Sequence, residues 1–78
     1  MDIDQQMTKV CERMKAIRIE KGMTQEDFDV EEGGISTRHL RAIETMEKPN
    51  VELATLLRFC SLAKIHPKEL FNFEVPWK

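Results

Sequence analysis

The segment GGISTRHLRAIE, Gly33–Glu44, packs a stop, a cap and an amphipathic helix into twelve residues. Ser36 carries the kind of side-chain oxygen that accepts from the free N–H groups of a helix's first turn, so a helix starts here. In it Leu40 and Ile43 face inward, while Arg38, Arg41 and Thr45 face out. Gly33-Gly34 ends whatever precedes it. Directly upstream the chemistry reverses, because Glu26, Asp27, Asp29, Glu31 and Glu32 place five acids in seven residues. Residues 24–34 carry those five acids and no cation, whereas residues 35–50 carry three cations and two acids. The charge is segregated, an acidic block followed by a mildly basic one.

Working outward, Met7, Val10, Cys11, Met14 and Ile17 recur at steps of three and four, which predicts a first helix over about residues 5–21. Gly22 is its left-handed stop. Thr24 with Asp27 three residues on is a capping-box variant, predicting a second helix from Gln25 to the paired glycines. The helix at about 36–45 is then the third. Glu47-Lys48-Pro49-Asn50 is a turn, and a fourth helix begins at Asn50 or Glu52 with Leu53, Leu56, Leu57, Cys60 and Ala63 as its stripe. His66-Pro67 opens a short fifth helix, proline being preorganised for the first helical position. At the end Phe71, Phe73, Val75 and Trp77 alternate with polar residues and proline, the period of an extended arm with one apolar face. The expectation is one all-α, five-helix domain over residues 1–78, with 72–78 as a C-terminal arm.

Seventy-eight residues lie near the lower limit for a self-sufficient core, so close-packed helices or a partner subunit must supply stability. Cys11 and Cys60 fall at apolar-periodic positions and read as buried thiols. With His39 and His66 they form no chelating pattern, so no metal and no cofactor is expected. Nothing resembles a Ser/His/Asp set, a paired-carboxylate cleft or a Gly-rich phosphate loop, so the reading is not an enzyme. Without a signal peptide, polybasic tail or apolar span, the expectation is a soluble cytoplasmic chain that avoids membranes. A net charge of −2 weighs against a general nucleic-acid coat but not against a specific reader, for which the placement of cations matters.

Two short helices joined by a glycine-containing turn let one helix enter a DNA major groove while its neighbour crosses the backbone. ERMKAIRIEKGMTQEDF, residues 12–28, followed by GISTRHLRAIE and TLLRFCSLAKIHPKELF, resembles the phage repressor and Cro-like helix-turn-helix family over about residues 10–71. The resemblance implies a lambda-repressor-like fold and a sequence-specific regulator reading the major groove with the helix at about 36–45. It puts Gln25 on a phosphate, bracing the reading helix. Ser36, Thr37, Arg38 and Arg41 stand at the front of that helix, Arg38 being suited to bidentate contact with guanine O6 and N7. Thr45 and Lys48 resemble the loop that contacts backbone phosphates, and Arg18 and Glu44 match the family's structural ion pair.

The chain departs from the family at identifiable places. One extra residue separates Gln25 from Ile35, and Asp29 stands in register with a small alanine that packs under the reading helix. A buried unpaired carboxylate there would be costly, so either Asp29 turns outward, with Val30 taking up the packing, or the helix pair crosses differently. Met46 and Lys64 occupy positions where glycine is common.

One reading helix needs a second half-site, so the expected partner of a pseudo-palindromic double-stranded DNA operator is a homodimer. Phe71, Phe73, Val75 and Trp77 are its candidate interface, the alternative being an arm folded over its own core. A domain of this kind acts as a repressor, a restriction–modification controller, or an antitoxin with a toxin partner. The competing reading is a helical protein-interaction module that kept the fold and lost DNA.

Overall fold

The computed structural model describes residues 1–77, which form three α-helices and two 3-10 segments with no strand among them. α1 spans Ile3–Glu20, a 3-10 turn Glu26–Phe28 follows, then α2 at Thr37–Glu44, α3 at Leu53–Ala63 and a 3-10 helix at Pro67–Phe71. The five expected segments are present in order, but two of them are not α-helices.

α1 begins two residues before the apolar stripe suggests, because Asp2 caps it. The Asp2 carboxylate accepts from the Gln5 N–H at 2.8 Å, and the Gln5 side chain accepts from the Asp2 N–H at 2.9 Å. Val10, Cys11, Met14 and Ile17 are its buried face. Its end is a Schellman motif: Met23 N–H donates to the Arg18 carbonyl and Gly22 N–H to that of Ile19, with Gly22 at φ +69°.

The second helix is the principal correction. Its cap forms, with Thr24 N–H on the Asp27 carboxylate at 2.7 Å and Asp27 N–H on the Thr24 hydroxyl at 3.2 Å. The helix then stops after one 3-10 turn. The Phe28 carbonyl accepts at 2.7 Å from Ile35, seven residues on, and Asp29 leaves the helical region at φ −90°, ψ 71°. Two features explain the failure to propagate. Asp27/Glu31 and Asp29/Glu32 would be like-charge neighbours on a helix, and Phe28 has no apolar companion three or four residues ahead. The loop instead folds tightly onto itself, bringing Gly34 so near that a Cβ there would lie 2.3 Å from the Val30 carbonyl oxygen.

Phe28 is fully buried and stacks on Phe59 of α3, ring centroids 4.9 Å apart and planes 2° from parallel. That stack rotates α3 away from its expected stripe. The buried face is Thr55, Phe59, Cys60 and Ala63, with Leu56 partly buried, while Leu53 and Leu57 are exposed at 69% and 48%. Leu40 and Ile43 of α2, Ile35 and Leu70 complete the core. The 3-10 helix at Pro67–Phe71 is tied to α1 by Arg13, whose Nε donates to the Glu69 carbonyl at 3.0 Å.

Both non-glycine residues that replace common glycines adopt left-handed backbone, Met46 at φ 64° and Lys64 at φ 57°. Met46 packs against the core, whereas Lys64, at the end of α3, is exposed. In the arm, Phe73 packs on the core and Val75 is half-buried, while Phe71 and Trp77 are exposed at 55% and 78%. The arm therefore divides its apolar residues between its own core and the surface. Lys78 lies outside the described residues.

Candidate nucleic-acid interface

α2 is the element on which the site is built. Ser36 caps it, its Oγ accepting from the His39 N–H at 3.1 Å, and Leu40, Ile43 and Glu44 form its buried face. With that face occupied, Arg38 and Arg41 are held out on the exposed face, and Thr37 stands half-buried at the first position.

The other end of α2 is fixed by charge. Arg18 of α1 grips Glu44 with two prongs, Nε to Oε2 at 2.7 Å and Nη2 to Oε1 at 3.0 Å, and its remaining nitrogen donates to the Met23 carbonyl at 2.8 Å. Gln25 adds a third donor to Glu44, Nε2 to Oε1 at 3.2 Å. The Glu44 side chain is only 3% exposed, so these donors replace its lost hydration. The hydrogen-bonded carboxylate in turn holds the Arg18 guanidinium above its ordinary range. One four-residue network thus joins α1, the loop after it and the turn at Gln25 to the C-terminal end of α2. Gln25 braces the helix in this way.

Between the outer side of α2 and the turn that follows runs an open groove of about 350 Å³, lined by Ser36, Arg38, His39, Ala42, Glu47 and Lys48. It brings together three residues singled out from sequence, Ser36, Arg38 and Lys48. It also brings in His39, a weaker contact candidate from sequence, and adds Ala42 and Glu47, which were not singled out. The left-handed turn at Met46 explains the additions, because Glu47 and Lys48 N–H both fold back onto the Ala42 carbonyl. Thr45 is exposed at the end of α2, its hydroxyl 3.4 Å from the same carbonyl.

Asp29 points outward and accepts from the Thr37 hydroxyl at 3.4 Å, so it is not buried beneath α2. Val30 does not take up the packing either; it is 44% exposed, and Phe28 fills the interior instead. All five acids of the block are exposed. Phe71, Phe73, Val75 and Trp77 lie outside this groove, which is a separate region of the molecule.

A short capped helix, braced from behind by an ion pair and presenting arginines outward, is the kind of reading helix that helix-turn-helix DNA-binding domains use. A family model for the Cro/C1-type HTH DNA-binding domain matches residues 13–76, and the chain belongs to that family. No curated protein and no solved structure matched the chain. No helix among the described residues is long and apolar enough to cross a membrane.

Proposed function

We propose that the protein is a sequence-specific transcriptional regulator that inserts α2 into the major groove of a pseudo-palindromic operator as a homodimer. The observation that carries this reading is the outward display of Arg38 and Arg41 on a helix whose opposite face is fully packed. Arg38 and Arg41 reach base edges. Gln25, Ser36, Thr45 and Lys48 hold backbone phosphates, and Thr37 stands at the leading edge. Phe71 and Trp77 offer exposed apolar surface to the second copy, with Phe73 and Val75 supporting the arm from beneath.

On this reading the domain acts by occupying its site, in the manner of a repressor, a restriction–modification controller or an antitoxin. The exposed acids of residues 26–32 favour a second reading, a protein-interaction module on the same fold. More than about 8 Å from a phosphate their repulsion is largely screened at physiological salt.

A salt series of binding to genomic fragments separates the two. Specific DNA binding falls steeply as salt rises, because each neutralised phosphate releases counterions. Retention of no fragment at low salt would select the interaction module.

A further inference from the structure

One acid of the block stands beside the reading helix, a placement that simple charge segregation does not explain. Asp27 is turned back onto the Thr24 N–H at 2.7 Å, as a cap. Asp29, two residues on, accepts from the Thr37 hydroxyl at 3.4 Å and so stands beside the first residue of α2. Its position is built rather than incidental. Phe28 before it is anchored in the core, and Ile35 N–H closes the loop onto the Phe28 carbonyl at 2.7 Å. A base edge that Thr37 approaches is therefore also within reach of the Asp29 carboxylate.

We infer that Asp29 is a specificity-determining residue that selects cytosine at the base position beside the one read by Arg38. This inference rests on the DNA-binding reading above. An ionised carboxylate only accepts hydrogen bonds. In the major groove cytosine offers its N4 amino group as a donor, whereas guanine offers the acceptors O6 and N7 and thymine the acceptor O4. Adenine has a donor at N6, but its N7 acceptor sits next to it. An ionised carboxylate offers about four lone-pair sites, so the long 3.4 Å contact from Thr37 leaves Asp29 acceptor capacity for a base. An acid at this point weakens non-specific attraction to phosphates and returns that loss only at a matching base.

The test is a selection from a library of randomised DNA duplexes by the full chain and by its Asp29→Ala and Asp29→Asn variants, with unfolding midpoints measured alongside. The wild type enriches a C·G pair at one position of each half-site, by on the order of tenfold over other bases. Asp29→Ala loses that preference while the guanine assigned to Arg38 stays enriched. Asp29→Asn moves it towards adenine, which an amide can pair with at N6 and N7. A purely structural role would lower affinity for all sequences alike and leave the selected bases unchanged. If the wild type selects a sequence that both variants also select, the inference is overturned and the DNA-binding reading stands. If the wild type selects no sequence, both fall together.

Discussion

Arg18 and Glu44, twenty-six positions apart, form a two-pronged pair at 2.7 and 3.0 Å that fastens the end of α2 to α1. Neither residue faces the proposed DNA surface, yet the pair determines the angle at which α2 is presented. Removing Arg18 would leave an almost fully buried carboxylate without its counter-charge, with only the Gln25 amide still donating to it, and free the Met23 carbonyl as well.

Arg18→Ala is therefore expected to destabilise the domain by about 3–5 kcal/mol. Total stability is roughly 4–12 kcal/mol for a chain of this length, so the loss is a large fraction of it and the unfolding midpoint should fall clearly below wild type. Arg18→Lys keeps the charge but loses the fork, and should fall about 1–3 kcal/mol short of wild type. Thermal or urea unfolding followed by circular dichroism measures both, and an Arg18→Ala midpoint equal to wild type would remove the pair from the fold's support.

Arg38 and Lys48 line the same groove but should behave differently towards DNA. Arg38→Ala is expected to cost about 1–3 kcal/mol and relax one base position, because it removes a base-edge contact. Lys48→Ala should weaken all sequences about equally and reduce the salt slope by about one, as loss of a phosphate contact does. Titrations of one operator and its single-base variants at two salt concentrations distinguish them. Identical profiles for the two variants would contradict the assignment.

The two left-handed residues predict opposite outcomes on conversion to glycine. Lys64 is exposed at φ 57°, so Lys64→Gly relieves backbone strain and should stabilise by up to about 1 kcal/mol after glycine's greater unfolded-state entropy is counted. Met46→Gly relieves similar strain but removes a side chain packed on the core, so its midpoint should not rise. Gly34→Ala should destabilise, since the added methyl meets backbone at 2.3 Å rather than a side chain that can swing away. Urea midpoints for the three variants check all of these signs.

Burial pushes the Cys11 and Cys60 thiols up. A thiol whose folded pKa is raised ionises first in the unfolded chain, so its contribution is complete below about pH 8.5 and declines as pH rises beyond that. The urea midpoint should fall between pH 8 and pH 10, and Cys11→Ala should fall less steeply over that window from its own lower starting point. A thiol reagent at neutral pH should label neither cysteine until the chain is unfolded.

The exposed end of the arm bears on assembly. Trp77 is 78% exposed while Phe73 packs on the core, so Trp77→Ala tests the interface without removing core area. Its mass in solution should shift towards monomer at concentrations where the wild type is dimeric. Deletion of residues 73–78 should do the same and also lower the unfolding midpoint. A dimer unchanged by both would exclude the arm.

Local chemistry alone determined a good deal of this molecule. The caps at Thr24 and Ser36, the stop at Gly22, the buried stripe of α1 and the inward Leu40 and Ile43 depend on neighbours within four residues, where side-chain oxygens, glycine's freedom and helical spacing act directly. Only the tertiary structure decided the rest. A correct cap at Thr24 yielded one 3-10 turn, since local like charges already disfavoured a helix and the Phe28 carbonyl paired instead with Ile35, and α3 turned Leu53 and Leu57 outward as Phe59 stacked on Phe28. The groove joining Arg38 to Lys48, and the carboxylate of Asp29 beside Thr37, likewise came from how the chain folded back on itself. These outcomes turn on which of several nearly equivalent apolar faces and hydrogen-bond acceptors is matched by a distant partner, and that energy belongs to the pair, not to either stretch of sequence.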